Sequence, residues 1–179
     1  MMFLFVLIGL LLGFARGGRL DHIDRELPEG LLLPVLAFVA EFLAVRSGFF
    51  PAWVQLNLVY FLLFWFVWRN RRRGAWPLWF GAGTLLNYLV IAANGYRMPV
   101  ATNLLAGLPE ATAAALAEGS VFGYTLADAS TRLVFLGDVV SVPFLGEFVG
   151  FASLGDFFLG VGAGLLAYRL TKPRQVGKL

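Results

Sequence analysis

The sequence contains no cysteine and a single histidine, His22, among its 179 residues. The absence of cysteine excludes disulfides, thiolate nucleophiles, iron–sulfur clusters and cysteine-based zinc sites. One histidine is too few for a multi-histidine metal site, and it leaves little room for general-base catalysis by imidazole. We interpret His22 as a solvated loop residue, and we expect no metal, no cofactor and no catalytic residue.

Charged residues are also scarce. They make up 14% of the chain, whereas hydrophobic residues make up 59% and the mean hydropathy is +0.78. Ordinary soluble domains are roughly 25% charged and 45 to 50% apolar. The composition therefore predicts an integral membrane protein with one domain, residues 1–179. The net charge of +3 is not accompanied by a basic face rich in exposed aromatics, so we expect no nucleic-acid partner.

Five apolar stretches with few or no charges are candidates for membrane spans. They are residues 2–15, 31–45, 49–68, 75–93 and 150–170. The first is short, because a helix over its 14 residues covers only about 21 Å of a hydrocarbon core of about 30 Å. From these stretches we predict an all-α fold, a polytopic membrane helix bundle of about five transmembrane helices.

Residues 94–149 differ from these stretches, because Gly, Pro, Ser, Thr and isolated charges replace the apolar runs. We predict a long outer loop here. Pro109 and Gly119 suit the first position and the C-terminal cap of a short helix through Glu118. Residues 121–136 are apolar at their ends and polar in their middle, which predicts a re-entrant or interfacial helix lying against protein.

The basic residues are distributed unequally between the two sides of this predicted bundle. Eleven fall on the first, third and fifth connections: Arg16, Arg19, Arg25, Arg69, Arg71, Arg72, Arg73, Arg169, Lys172, Arg174 and Lys178. The other side has Arg46, Arg97 and Arg132. Because the cytoplasmic side of a membrane protein retains lysine and arginine, we predict an N-terminus outside the cell and a C-terminus in the cytoplasm.

Under this orientation, the polar side chains within and next to the spans all fall in the outer leaflet. Glu41 lies in the outer half of the second span, and Asp156 lies near the outer start of the last. Ionisable residues in spans are costly and usually face the bundle interior or a wet cavity. We therefore predict an outward-facing polar cleft with these ligand-binding candidates: Asn94, Arg97, Arg132, Asp138, Asp156 and Glu41.

These candidates also have structural interpretations. Asp156 follows a serine by three residues, which is the spacing of a capping box at a helix start. Asp138 is either a binding residue, a turn residue or the ion-pair partner of Arg97 or Arg132. Arg97 either staples the loop through an internal ion pair or binds a carboxylate or phosphate in bidentate fashion. Glu41, near a span end, either lines the cleft or reaches the interface.

Glycines recur at close spacing in the first and last apolar stretches. The first contains Gly9 and Gly13, and the last contains Gly160, Gly162 and Gly164. They lie in apolar spans and not in a strand-to-helix turn, so they are not a nucleotide-binding fingerprint. We expect close helix packing at both places.

One further pattern runs through the second half of the chain. It consists of Asn94-Gly95-Tyr96-Arg97-Met98-Pro99-Val100, Thr131-Arg132-Leu133, Leu136-Gly137-Asp138, Pro143 and Gly155-Asp156. These elements resemble the family of small bacterial integral membrane proteins catalogued as domain of unknown function family 5317, and the likeness covers nearly the whole chain. Tyr96 stands where members often have a second glycine. The resemblance implies a polytopic protein of the bacterial cytoplasmic (inner) membrane and brings no activity with it.

Three functions of different classes fit these observations. The first is a non-catalytic membrane protein whose cleft binds a small anionic or zwitterionic group through Arg97 and Arg132, with Asp138 and Asp156 orienting them. The second is the substrate-binding membrane component of a small-molecule transporter. The third is an intramembrane enzyme acting on a lipid-linked substrate, with the two aspartates as metal ligands or acid and base. We favour the first, with membrane lipid, a lipid headgroup or small-molecule ligand and a second copy of the chain as the partners to test.

Overall fold

Six α-helices and a small β-sheet make up the described part of the computed structural model, residues 2–19, 27–47, 50–144 and 147–171. The helices are α1 (Met2–Ala15), α2 (Leu32–Ser47), α3 (Ala52–Asn70), α4 (Trp76–Ala93), α5 (Glu110–Ala117) and α6 (Leu154–Thr171). The strands are β1 (Met98–Val100), β2 (Tyr124–Leu126), β3 (Asp138–Phe144) and β4 (Glu147–Ser153). His22 lies outside the described residues.

The sheet overturns the prediction of an all-α fold. Its four strands lie in the order β2-β1-β3-β4, with β1 parallel to both β2 and β3, and with β3 antiparallel to β4. The strands occupy the stretch that was predicted as a long outer loop and the residues just after it. The valines at positions 139, 140 and 142 favour an extended strand. A search for spans by length misses this signal, because the longest strands have seven residues.

Residues 121–136 do not form the predicted re-entrant or interfacial helix. They contain β2 and a short 3-10 helix, Val134–Leu136. Gly123 has a φ of +76° and Leu133 a φ of +52°, and these left-handed conformations interrupt a right-handed helix. The short helix predicted before this segment is confirmed as α5.

The prediction of about five transmembrane helices is also wrong. Among the described residues, only α3 and α4 are both long enough and apolar enough to cross a membrane. Helix α1 has 14 residues and α2 has 16, so both are shorter than the roughly 20 residues that a span needs. Helix α6 has 18 residues, but Asp156, Arg169 and several glycines make it less apolar.

Large apolar side chains cover the outside of the helices. Phe3 on α1, Phe38 on α2 and Leu78 on α4 are 79%, 70% and 69% exposed. Only 11% of the apolar stretch of α3 is buried, whereas the core helix of a soluble protein is mostly buried. An exposed apolar surface of this extent is typical of contact with lipid or with another protein. Together with the two apolar helices, it favours association with a membrane.

Helix α6 packs against α1 on one side and against α4 on another. Glycines allow the backbones to approach closely. A Cβ at Gly9 would collide with the carbonyl oxygen of Gly164, and a Cβ at Gly162 would meet the nitrogen of Phe80 at 2.7 Å. The predicted role of these glycines in helix packing is confirmed. Asp156, at the start of α6, is thereby held beside α4.

The sheet lies over one end of the helices. Strand β1 follows α4 after a short turn, and β4 runs directly into α6. Val90 of α4, Met98 of β1 and Leu136 form a buried apolar cluster that fixes the sheet to the helices. The residues at which α4 ends and α6 begins are therefore brought next to the first residues of β3.

Candidate functional site

The two ends of the helices carry different side chains, and we name them the basic end and the carboxylate end. The basic end comprises the C-terminal ends of α1, α3 and α6 together with the start of α2. There, Arg16 donates to the Tyr168 hydroxyl at 2.7 Å, and Arg169 donates to the carbonyl of Arg73. The carboxylate end comprises the C-terminal end of α4, the N-terminal end of α6 and the sheet.

Asn70, which is fully buried, organises the basic end. Its Oδ1 accepts from the Glu29 backbone N–H at 2.9 Å, and its Nδ2 donates to the carbonyls of Glu29 and Phe66 at 2.9 and 2.8 Å. The Glu29 carboxylate accepts from Arg73 at 2.9 Å and lies 3.7 Å from Arg69. The hydrogen bond from Arg73 lowers the pKa of Glu29 below its ordinary value. The polar groups around Asn70 are thus partnered within the chain.

At the carboxylate end, Asp156 is held by a closed hydrogen-bond network. Its backbone N–H donates to Ser153 Oγ at 2.9 Å, and its Oδ2 accepts from the Ser153 backbone N–H at 3.0 Å. This reciprocal pair confirms the predicted capping box. Its Oδ1 accepts from Asn87 Nδ2 at 2.9 Å, and the Ser153 hydroxyl donates to Asn87 Oδ1 at 2.8 Å. Both carboxylate oxygens of Asp156 therefore have a donor within the chain.

Asp138 is the buried acid of this end. It is the first residue of β3, where it lies opposite Val100 of β1 and Ser153 of β4. The residue is only 4% exposed, yet its Oδ1 has no hydrogen-bond partner in the part of the chain that the structure describes. Burial, together with the negative charge of Asp156, raises the pKa of Asp138 to about 7. Its carboxyl is therefore about half protonated at neutral pH.

Helices α2 and α3 and strand β2 bring further polar groups to the same place. Partial burial raises the pKa of the Tyr124 hydroxyl, and the carboxylates of Asp138, Asp156 and Glu41 raise it further. Glu41 and Asp156 also act electrostatically on the Tyr60 hydroxyl. We name this group of five side chains the carboxylate pocket: Glu41, Asp138, Asp156, Tyr60 and Tyr124.

The members of the carboxylate pocket differ in exposure, and one of them, Tyr60, lies against a neighbouring aromatic ring. The rings of Tyr60 and Tyr88 lie 5.3 Å apart between centroids. Tyr124 is 38% exposed, and Glu41 is exposed on α2. Asp138, by contrast, is shielded.

The other three predicted site residues, Asn94, Arg97 and Arg132, lie outside the carboxylate pocket. Arg97 is exposed and donates to the carbonyl of Gly119, after the C-terminal end of α5, at 3.3 Å. Asn94 Nδ2 donates to the carbonyls of Val90 and Arg132 at 2.7 and 2.8 Å, and its Oδ1 accepts from the Arg132 backbone N–H at 2.9 Å. The Arg132 side chain is exposed. Over the described ranges, neither arginine forms an ion pair with an acid, so the structure does not bring these residues into the carboxylate pocket.

The turn between α4 and β1 is left-handed at two successive residues. Gly95 and Tyr96 both have a φ of +66°. Glycine adopts this conformation at little cost, whereas a tyrosine is strained in it. This explains why a second glycine suits the position that Tyr96 occupies here.

Sequence analysis missed the tyrosines of the site. Tyr60 and Tyr88 lie inside apolar stretches, and Tyr124 lies in the segment that was predicted as a helix. A tyrosine hydroxyl inside an apolar stretch needs a polar partner, and this was the signal available in the sequence. The Tyr88 hydroxyl finds that partner in Asn57 Oδ1, at 2.9 Å.

Comparison with known proteins identifies a family for this chain. No curated protein and no solved structure matches it. A family model described as a family of unknown function (DUF5317) matches residues 25–168, a range that includes all five side chains of the carboxylate pocket. Because the match covers most of the chain, this protein belongs to the DUF5317 family, which its sequence resembled.

Proposed function

We propose that this protein is embedded in a membrane through α3 and α4 and binds a small polar molecule in the carboxylate pocket. The observation that carries the proposal is the buried Oδ1 of Asp138, which has no hydrogen-bond partner among the described residues. Leaving a buried polar atom without a partner costs about 1 to 3 kcal/mol, and such atoms are rare in folded proteins. A bound molecule that donates a hydrogen bond to this oxygen would remove the cost.

The groups around Asp138 support a binding role over a structural one. Asp156, Asn87 and Ser153 satisfy one another and form a fixed base. Tyr124, which interacts with Asp138, is 38% exposed, whereas Asp138 is buried. A buried carboxyl with a strongly raised pKa beside other ionisable groups is typical of functional sites.

The carboxylate pocket favours a cation or a neutral hydrogen-bond donor over the anionic ligand expected from the sequence. Arg97 and Arg132 were expected to bind the anion, but they are exposed and make no contact with Asp138 or Asp156. A phosphate or carboxylate placed beside these two acids would be repelled by them. Arg97 instead partners a carbonyl at the end of α5.

The distribution of charge supports an orientation for the membrane. Arg16, Arg69, Arg73 and Arg169 all lie at the basic end. Because the cytoplasmic side retains arginine and lysine, we assign the basic end to the cytoplasm and the carboxylate pocket to the outer side of a bacterial cytoplasmic membrane. The exposed apolar surface of α3 and α4 would then face lipid.

Two measurements test this proposal. The full-length chain, expressed in bacteria, is expected to stay with the membranes after extraction with alkaline carbonate. Native mass spectrometry of the purified protein is expected to detect a retained small molecule, and Asp138→Asn is expected to lose it. Release of the chain by carbonate, or equal retention by Asp138→Asn and the unsubstituted protein, would contradict the proposal.

Glu118→Gln is the matched control for this experiment. It also neutralises one carboxylate, but Glu118 is exposed next to the end of α5 and is not a member of the carboxylate pocket. We expect this variant to retain the small molecule. A loss in both variants would mean that net charge, and not the pocket, controls retention.

A further inference from the structure

We propose that the molecule bound in the carboxylate pocket carries a protonated amine, and that Asp138 is the acid that pairs with it. This inference rests on the proposed function and adds the chemical class of the ligand. It is based on the buried carboxyl of Asp138, whose Oδ1 has no hydrogen-bond partner among the described residues. A second acid, Asp156, and Tyr124 interact with this carboxyl.

The charges of the carboxylate pocket are all of one sign. Its ionisable acids are Glu41, Asp138 and Asp156, and the two ion pairs of the described residues are both made by Glu29 at the basic end. Asp138 and Asp156 carry like charge and interact while partly buried, and a cation placed beside them relieves their repulsion. The carboxylate pocket is therefore suited to a positively charged group.

Asp138 and Asp156 differ in what they can still accept. Asp156 receives N–H donors on both oxygens, from Asn87 and from the Ser153 backbone. Asp138 Oδ1 receives none from the described residues. An ammonium group has three N–H donors, so it can fill this acceptor and still reach a neighbouring oxygen. The geometry makes Asp138 the direct partner of the ammonium group. Asp156, whose oxygens already accept hydrogen bonds, adds a second negative charge nearby.

The tyrosine rings support an organic cation. The Tyr60 and Tyr88 rings lie 5.3 Å apart between centroids and are tilted by 52°, and the Tyr60 and Tyr124 hydroxyls are close enough to influence one another. Cations bind to the faces of such rings within about 6 Å of the centroid. These rings add contacts that an amine on a carbon chain uses better than a bare metal ion does.

A metal ion fits the site less well. Calcium takes about six to eight oxygen ligands. Within the ranges that the structure describes, no three acidic or histidine side chains lie close enough to share a metal ion. The same observation gives no support to Asp138 and Asp156 as the metal ligands of an enzyme.

Binding an amine changes the protonation of Asp138. Burial and the charge of Asp156 raise the pKa of Asp138 to about 7. The reaction of R–NH₃⁺ with the protonated acid gives the R–NH₃⁺ carboxylate pair and one released proton, and no other bond changes. The titratable groups that share the pocket with Asp138 are Asp156 of α6, Tyr124 of β2, Tyr60 of α3 and Glu41 of α2. Affinity is therefore expected to rise about tenfold between about pH 6 and about pH 8, as Asp138 ionises.

Calorimetry with ethanolamine as the probe tests the inference. The full chain is placed in lipid nanodiscs of phosphatidylglycerol, which lacks an amine, and ethanolamine is titrated at about pH 6 and about pH 8. We expect binding at the higher pH, affinity about tenfold weaker at the lower pH and at least about tenfold weaker for Asp138→Asn. Glu118→Gln is expected to bind as the unsubstituted chain does. Ethylene glycol, which lacks the positive charge, is expected not to bind.

The lipid composition distinguishes two sources of the same amine. If a lipid headgroup is the natural occupant, nanodiscs that contain phosphatidylethanolamine will weaken the binding of added ethanolamine by competition. If a free amine is the occupant, the affinity will be the same in both lipid mixtures. Either result supports the amine, and each names a different source.

The outcomes also separate this inference from the proposed function. If the chain fails to bind ethanolamine but keeps a small molecule that Asp138→Asn loses, the amine is wrong and the binding function stands. If there is neither retention of a small molecule nor ethanolamine binding, both the amine inference and the binding function are wrong.

A second variant covers the case in which Asp138→Asn does not fold. Tyr124→Leu keeps every acid, and we expect it to weaken ethanolamine binding about two- to fivefold, because Tyr124 is the aromatic residue that interacts with Asp138. Unchanged binding in that variant would overturn the inference.

Discussion

The basic end and the carboxylate end treat their polar groups in opposite ways. At the basic end, Asn70 makes three hydrogen bonds, and Glu29 is bonded to Arg73. At the carboxylate end, Asp156 is satisfied, but Asp138 is buried with an oxygen that has no partner in the described chain. Both ends bury polar atoms, and only one of them completes its own network.

This difference separates a structural role from a binding role. A network that satisfies itself, such as the one around Asn70, stabilises the chain and offers nothing to a ligand. An unsatisfied buried carboxyl costs stability, and a partner from outside the chain can recover that cost. Substitutions at the basic end should therefore lower stability without changing binding, whereas substitutions of Asp138 should remove binding and raise stability at neutral and alkaline pH.

The largest expected effect is at the basic end, in Asn70→Ala. The change leaves the Glu29 backbone N–H and carbonyl without their partners in a buried position. We expect the free energy of unfolding to fall by about 3 kcal/mol, measured by denaturant unfolding in detergent. Ethanolamine affinity of the folded fraction should not change. Asn103→Ala, at an exposed asparagine, is the control and should change stability by less than about 0.5 kcal/mol.

A smaller effect, with a distinctive pH dependence, is expected for Asp138→Asn. The pKa of Asp138 rises from an ordinary 3.8 to about 7 on folding, so the folded chain binds more protons between these values. Its contribution to stability is therefore greatest below about pH 4, falls as the pH rises, and levels off above about pH 7. Asp138→Asn should remove this fall.

The gain from Asp138→Asn at about pH 8 is expected to be on the order of 1 to 2 kcal/mol. It is smaller than the pKa shift alone implies, because the new amide brings donors that also need partners. Unfolding curves of both proteins across the pH range provide the measurement. Parallel curves for the two proteins would show that Asp138 does not titrate in this window, and the contrast between the two ends would then be lost.

The smallest effect is expected for Arg97→Ala. Arg97 is exposed and partners one carbonyl at the C-terminal end of α5, so its loss should cost about 0.5 kcal/mol and leave ethanolamine binding unchanged. Arg97→Lys should restore part of the stability, because the positive charge remains near the helix end. A loss of retained ligand in Arg97→Ala at unchanged stability would return the binding role to the arginine and break the comparison.

Local features of the fold were predictable from the sequence. The Ser153–Asp156 capping box, close helix packing at the glycines of the first and last apolar stretches, and the short helix α5 are confirmed. Each of these three features depends on residues at fixed spacing or on a small side chain, and none of them requires knowledge of the whole fold. The sheet was not predictable in this way, because β1 and β2 have three residues each and show no alternation to read.

The orientation in the membrane, the lipid partner and a homo-oligomer stay predictions.

The six candidate site residues fall into two groups in the structure. Asp138 interacts with Asp156, and both of them and Glu41 act on Tyr124, whereas Asn94, Arg97 and Arg132 are held elsewhere. The sequence shows which residues can ionise, but a pairing of Asp138 with either arginine was as consistent with the sequence as the observed separation.

Composition and local pattern by themselves determined that the helices are apolar, that cysteine chemistry is absent and that the chain belongs to the DUF5317 family. These properties depend on which residues are present and on their neighbours along the chain. Only the tertiary structure decided that Asp138 is buried and lies beside Asp156 and Tyr124. The pairing of β3 with β1 and β4, and the packing of α6 on α4, bring together residues that are far apart in the chain, and burial among them is what makes the Asp138 carboxyl unlike the others.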